Sequence, residues 1–382
     1  MKEGSRRMYF ARIAVAGALL IAIAAMRAQS GPPQSAAPSA AKKTDEAYKN
    51  IQVLKGAPAD QLMPAMQFIS ASLGVQCDYC HEMGAFDRDD KKPKQTARKM
   101  MEMMFAINKN NFAGHREVTC YSCHRGAIKP VATPVITDHE VKLAFPETPK
   151  EEDSSNPAVV DQLLDKYVAA LGGTQAIQKI SSRLGKGTIA LGANKFPFEV
   201  FEKAPNKRMS VMHLPNGDSI TAFDGTSGWL AVPGQSLRDM SGAELEAARL
   251  DADFYFPLRV KQLFSEFRAG ESEKIGDRDA TSLVGIKEGE PPLKLYFDLQ
   301  SGFLVRLLRY AESPLGRVPT QIDYADYREV NGVRTPFRWT ISRPGGRFTI
   351  QLENVQQNVP IDDARFARPA VSETAPQKPP GS

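Results

Sequence analysis

Two short stretches of the 382-residue chain repeat one pattern of thiols and imidazole: Cys77, Cys80 and His81 in "VQCDYCHEMG", and Cys120, Cys123 and His124 in "VTCYSCHRG". Together they use all four cysteines of the chain. A pair of disulfides gives no reason for a histidine directly after the second thiol. A zinc site built from all four thiolates would put 39 residues between its pairs and leave both imidazoles without a role. A thioredoxin-like redox pair belongs to a strand-to-helix setting, whereas both motifs follow helical segments. Covalent attachment of c-type haem accounts for every residue. The two thiols sit three positions apart on one turn and add to the porphyrin vinyl groups, and the next side chain is aimed at the iron. The repeat therefore predicts two covalently attached haem c groups, with Cys77, Cys80, Cys120 and Cys123 as attachment points and His81 and His124 as proximal iron ligands.

The sixth position of each iron separates an electron carrier from an enzyme, because a thioether closes the site and raises the potential while an open position admits a substrate. Met63 and Met66 precede the first motif, and Met100, Met101, Met103 and Met104 precede the second. Each of these is also suited to plain apolar packing, since methionine fills gaps well.

The elements that must position these groups read as helices. "PADQLMPAMQFISASLG" has Leu62, Met66, Ile69 and Leu73 at helical spacing, Asp60 as a candidate N-cap, Pro64 tolerable in the first turn only, and Gly74 where a C-terminal cap belongs. "PKQTARKMMEMMFAINKNNF" forms a second helix, with Met100, Met103 or Met104, and Ile107 on one face. The run "KKPK" over Lys91 to Lys94 reads as a solvated helix start, with a docking patch for an acidic redox partner as the alternative.

Lys2, Arg6, Arg7 and Arg12 come before a fourteen-residue apolar run that ends near Ala28. This is the pattern of a signal peptide over 1–28, too short to span a bilayer comfortably, with an uncleaved anchor giving membrane association as the alternative. The run has no cysteine near its end, so no lipid anchor is expected there. Loss of residues 1–28 removes five basic and one acidic residue and lowers the formal net charge from +5 to +1, so the basic balance gives no case for nucleic acid. The apolar fraction of 42% and charged fraction of 24% are those of an ordinary globular protein and leave the activity open.

Composition divides the rest into a Ser/Pro/Ala linker (29–44), a cytochrome unit (45–130), a Pro-rich linker (131–157), a second folded unit (158–370) and a polar tail (371–382). Few contacts are expected to cross between the two folded units. The second unit opens with the amphipathic stretch "AVVDQLLDKYVAALGG" and continues as short alternating segments with Pro215/Asn216/Gly217, Asn331/Gly332 and Gly345/Gly346 at turns. The expected fold class is multidomain: an all-α dihaem c-type cytochrome domain followed by an α+β domain with a mostly antiparallel sheet. Trp229, Trp339 and Phe337 are candidates for the wall of an apolar pocket or for plain core.

The run from "NIQVLKGAPADQLMPAMQ" to "VTCYSCHRGAIKP" resembles one dihaem half of the photosynthetic reaction-centre cytochrome c subunit family, over residues of about 48–130. The order "M-x6-LG-x2-C-x2-CH", "ARKM-x2-M-x3-IN", "VTCYSCHRG" carries the likeness. It implies a helix methionine as sixth ligand fifteen residues before the proximal histidine, which falls on Met66, and for the second haem Met100, with Met103 next. One haem of that family has two histidine ligands, which makes His115 a further candidate. The resemblance also implies two haems close enough for fast electron exchange. Family members that serve a reaction centre carry two such halves and four haems, and a lipid-anchor cysteine; this sequence has one half, no such cysteine and a large C-terminal unit. That unit weakly resembles outer-membrane lipoprotein carriers in "FDGTSGWL", "LYFDLQSGFLVR" and "DYADYREVNGVRTPF", which implies an apolar ligand on a concave sheet.

The expected function is therefore an exported dihaem c-type cytochrome transferring electrons between periplasmic or membrane redox proteins. A dihaem peroxidase-like enzyme with one open iron, and a lipid- or lipoprotein-binding protein with an attached redox module, are the alternatives.

Overall fold

The computed structural model describes residues 42–130 and 157–369. The expected signal peptide (1–28) and tail (371–382) lie outside these residues, as do almost all of the linkers over 29–44 and 131–157. Among the described residues no helix is long and apolar enough to cross a membrane.

The first described segment is helical: α1 (Thr44–Ala47), a 3-10 turn (Ala59–Gln61), α2 (Leu62–Leu73), a second 3-10 turn (Cys77–Tyr79), α3 (Lys92–Asn111) and α4 (Cys120–His124). Helix α2 stops where the sequence requires. Gly74 takes φ 68° and its N–H returns to the Ser70 carbonyl, a left-handed cap that costs a residue without Cβ little. Pro64 falls in the first turn, where its missing N–H is not needed. Asp60 does not cap α2, because it lies inside the preceding 3-10 turn. Helix α3 starts with Pro93 in its first turn and buries Lys94, Met101, Met104 and Asn108, a stripe of near-helical period from which Met101 and Met104 pack with Leu62, Ala65 and Ile69 of α2.

The second segment begins with α5 (Pro157–Ala170) and α6 (Thr174–Gln178), then strands β1 (Ser182–Leu191), β2 (Asn194–Lys203), β3 (Lys207–Leu214), β4 (Gly217–Phe223), β5 (Gly228–Ala231) and β6 (Arg238–Asp239). Helices α7 (Gly242–Ala252) and α8 (Phe256–Arg259) interrupt the strands. Strands β7 (Glu266–Ile275), β8 (Arg278–Ile286), β9 (Leu293–Asp298), β10 (Leu304–Ala311), β11 (Val318–Val330), β12 (Val333–Arg343) and β13 (Gly346–Gln357) complete one thirteen-stranded antiparallel sheet. Its order is β6-β5-β4-β3-β2-β1-β13-β12-β11-β10-β9-β8-β7: two meanders joined where the first strand pairs with the last. The β11–β12 hairpin turns on Asn331 (φ 47°) and Gly332 (φ 79°), the left-handed pair that a tight antiparallel turn needs. The edges are blunted, β6 by its two-residue length and β7 by Glu266, Arg268, Glu273 and Lys274. Val160, Leu164 and Tyr167 of α5 pack onto Leu283, Leu295, Phe297 and Ile322, so the helices cover one face of the sheet.

The described residues from Lys43 onward belong to one compact unit. The sparse contact expected between the helical segment and the sheet is not what the structure has. Leu315, in the loop between β10 and β11, is fully buried in the same cluster as Leu54, Leu62, Ala65, Ile69, Met101 and Met104. A small helical segment cannot enclose its own core, and a side chain of the sheet segment fills part of this one.

Candidate functional site

The first motif lies directly after the Gly74 cap. Cys77 to Tyr79 form a 3-10 turn, the His81 N–H bonds the Cys77 carbonyl at 3.0 Å, and both thiols are free. His81 Nδ1 lies 3.0 Å from the Phe86 carbonyl oxygen. A carbonyl only accepts, so Nδ1 carries the proton and the lone pair is left on Nε2, the atom a metal takes. Burial lowers the pKa of His81, and nearby Lys94, Arg98 and Lys91 lower it further against the raising effect of the Phe86 carbonyl. The ring is thus held neutral, the form that ligates. The same Phe86 carbonyl accepts from Lys94 Nζ at 2.9 Å, and Lys94 also reaches the Arg88 carbonyl (2.6 Å) and Asp89 (3.0 Å). Arg98 grips Asp89 with two bonds of 2.8 and 2.9 Å. Lys94, read from sequence as part of a solvated helix start, is therefore a buried anchor for the loop that aims His81.

The second motif is one α-helical turn. Thr119 and Ser122 form a reciprocal cap at its start and Arg125 closes it in a left-handed conformation. His124 Nδ1 lies 2.9 Å from the Ala127 carbonyl, which fixes the same tautomer as at His81. Buried Asn108 bonds the backbone of Val118 twice, donating to its carbonyl at 2.7 Å and accepting from its N–H at 2.9 Å. On the other side the Gly126 N–H donates to the Ser72 carbonyl of α2 at 2.8 Å, and a Cβ on Gly74 would meet Gly126 oxygen at 2.2 Å. Two backbone clamps thus seat the second motif between α3 and α2. The sequence signal for Asn108 was its place on the apolar stripe, seven residues after Met101.

The four methionines of α3 divide between two faces. Met101 and Met104 are buried in the core, whereas Met100 and Met103 are 40% and 49% exposed. A cavity of about 500 Å³ brings Met100 and Met103 together with Cys120, Cys123 and His124, and Cys80 also lines it. This volume fits a cofactor site of roughly 300–1,000 Å³. Met66 does not line this cavity; it is half-buried against the cluster of Leu62 and Ile69, against which Cys120 also packs. Met63, the other candidate on α2, is 54% exposed, and His115 is exposed outside the cavity.

The protein surface here is consistent with an apolar, planar group. Of the twelve exposed large hydrophobic residues among those described, ten lie between Tyr48 and Ile128, including Tyr79, Phe86, Met100 and Met103. Apolar side chains gathered on a short segment mark a surface that something covers. With four free thiols in two turns and two imidazoles holding Nε2 open, the residues present fit haem.

The sheet loop that reaches this region is built to do so. Ser313 Oγ accepts from the N–H groups of Leu315 and Gly316 and donates to the Gly316 carbonyl (2.7 Å). Arg116, four residues before Cys120, donates to the Ser313 carbonyl at 2.6 Å and to Glu312 at 3.0 Å. Phe68 fills the space that a side chain on Gly316 would take, and the Asp60 carboxylate fills the same space on Gly242.

Within the sheet segment, a second cavity of about 480 Å³ lies against one face of the sheet, with Trp339 in its wall. The other two aromatic candidates belong to the core. Trp229 donates to the Phe366 carbonyl at 3.0 Å, and Phe337 packs with Ile350 and Leu352. His213 pairs with Asp218 at 2.8 Å.

Residues 12–164 match the family described as the photosynthetic reaction centre cytochrome C subunit. The reaction center cytochrome c subunit of Thermochromatium tepidum is 37% identical over 95 residues, and cytochrome c-554 of Chloroflexus aurantiacus is 36% identical over 85. These matches cover 24% and 20% of this chain and the same shares of the relatives, so the chain spans about a quarter or less of their length. The family match takes in both motifs, Cys77 to His81 and Cys120 to His124. Among solved structures, a DUF1329 family protein from Desulfovibrio piger aligns over 55% of this chain and 97% of its own, at 15% identity and TM-score 0.40. A LolA superfamily protein from Nitrosomonas europaea aligns over 56% and 98%, at 11% identity and TM-score 0.35.

Proposed function

We propose that the protein is an exported dihaem c-type cytochrome that passes electrons between redox proteins of the periplasm or its membranes. The observation that carries this reading is the shared geometry of His81 and His124, each directly after a pair of free thiols and each with Nδ1 bonded to a backbone carbonyl. Haem, when bound, supplies a one-electron ferric–ferrous couple. The chain's own residues do the rest. Cys77 and Cys80, and Cys120 and Cys123, would hold the macrocycle; the Phe86 and Ala127 carbonyls accept from Nδ1–H and so orient each imidazole with Nε2 left to the iron; and the apolar wall of α3 would exclude water, which favours the less charged ferrous state. Met66 is assigned as sixth ligand for the His81 haem and Met100 for the His124 haem, with Met103 next. His115 ranks behind both methionines because it lies outside the cavity.

The test is the mass and spectrum of protein matured with haem attached. Under denaturing conditions the chain should carry two haem masses, and both irons should be low-spin. A bare or zinc-loaded chain ends the reading; one high-spin iron that binds peroxide turns it into an enzyme. For the sheet segment, the cavity favours an apolar ligand as a second role.

A further inference from the structure

The cavity of the sheet segment is not simply apolar. Its floor is built from alternate residues of neighbouring strands, among them Ile189, Phe198, Val200, Ile322, Ile350 and Leu352. Five arginines share the same lining: Arg183, Arg208, Arg309, Arg334 and Arg343. Glu202 takes Arg183 at 2.9 Å and Arg208 at 3.4 Å, and Asp251 takes Arg309 with bonds of 2.6 and 3.0 Å. The remaining acid of the lining, Asp253, is drawn off to Arg259 at 3.4 Å. Arg343 has no ion pair among the described residues. Five guanidiniums thus share two carboxylates, and arginine cannot shed its proton to relieve the excess. The paired side chains are only 13–31% exposed, whereas Arg343, in the same lining, is exposed and its charge is open to a ligand.

Two further features of the lining lack partners. Arg183 Nε and Thr335 Oγ1 are buried donors with no hydrogen-bond acceptor, and Thr335 is only 5% exposed.

We infer that this cavity takes an anionic amphiphile, with its acyl chain along the apolar floor and its carboxylate or phosphate head against Arg343 and the neighbouring arginines. The inference rests on the reading of the cavity as an apolar-ligand site and narrows it: the acidic head supplies the negative charge that the wall lacks.

Calorimetric titration of the delipidated, haem-loaded full chain tests it. The probes are laurate, its neutral glycerol monoester, and dilauroyl phosphatidylglycerol in nonionic detergent. Laurate or the phospholipid should bind about tenfold or more tighter than the neutral ester, the difference expected of one charge-assisted contact, and the tighter of the two identifies the head group. Arg343→Gln should bring the anion's affinity down to that of the ester while leaving the ester's own unchanged; circular dichroism confirms that the variant is folded. Equal binding of anion and ester overturns the inference but leaves the apolar site standing. No binding of any probe removes both. A variant that keeps the full preference for the anion shows that the head does not sit at Arg343, and the assignment fails.

Discussion

The two segments of this chain solve the problem of a core in opposite ways. Between Leu54 and Met104 the structure has only six buried hydrophobic residues, whereas the sheet segment has thirty-eight. Exposure runs the other way, with ten large hydrophobics on the surface of the helical segment and two, Val159 and Leu299, on the sheet segment. The sheet is complete in its own residues. The helical segment is a shell whose interior must come from elsewhere, from the proposed haem on one side and from Leu315 on the other. Its fold and its cofactor are therefore one thermodynamic question, while the sheet's are two.

The strongest test of that contrast is to withhold the cofactor. A chain with Cys77, Cys80, Cys120 and Cys123 all changed to serine should lose nearly all amide-exchange protection over 42–130 and keep it over 182–357. Equal protection in both segments breaks the comparison. Next in size is Leu315→Ala. Removing a fully buried leucine costs about 2–5 kcal/mol, and although the residue belongs to the sheet segment, the loss should appear as faster exchange in α2 and an earlier haem-absorbance transition. A loss confined to β10 and β11 would show that the helical segment closes its core unaided.

A smaller effect separates the two motifs. Lys94→Met leaves the Phe86 and Arg88 carbonyls and Asp89 without their cation, a cost of about 1–3 kcal/mol. It should shift the reduction potential of the His81 haem while that of the His124 haem stays in place; equal shifts would mean that Lys94 acts on the segment as a whole. The smallest effect is on pH. Hydrogen bonds from Arg98, then from Asn50 and Lys94, hold Asp89 well below the ordinary carboxylate range. A depressed folded pKa contributes stability that is fully present above about pH 4 and is lost as pH falls through the folded value. Asp89→Asn should flatten this acid-side slope in the helical segment and leave the sheet's acid response unchanged, as read by denaturation at neutral and strongly acidic pH.

What was legible in the sequence follows the range of the physics involved. Haem attachment fixes thiol and imidazole spacing by covalent geometry, so both motifs stood out without a fold. Gly74 and Asn331/Gly332 were legible because a left-handed backbone restricts residue choice within a few positions. Periodicity found α2 and α3 but not the division of Met100 and Met103 from Met101 and Met104, since adjacent faces of a helix differ only in what packs on them. Lys94 passed for a solvent-facing charge because its acceptors are carbonyls, which no residue type announces. Leu315 and the five cavity arginines come from positions far apart in the chain, and only the order of the sheet brings them together.

That order has a consequence for how the protein is made. Every neighbouring pair in the sheet is a local hairpin or short connection except one, β1 with β13, where Arg183 faces Gln357. Local pairs close quickly, and a contact across so long a stretch waits for the whole intervening chain to be placed. The two meanders can therefore form as the chain emerges, and the seam between them closes last. The sheet cavity draws its wall from both sides of that seam, Arg183 and Glu202 from one meander and Arg309 and Arg343 from the other. A truncated or unfinished chain, however well its hairpins form, has no cavity to fill.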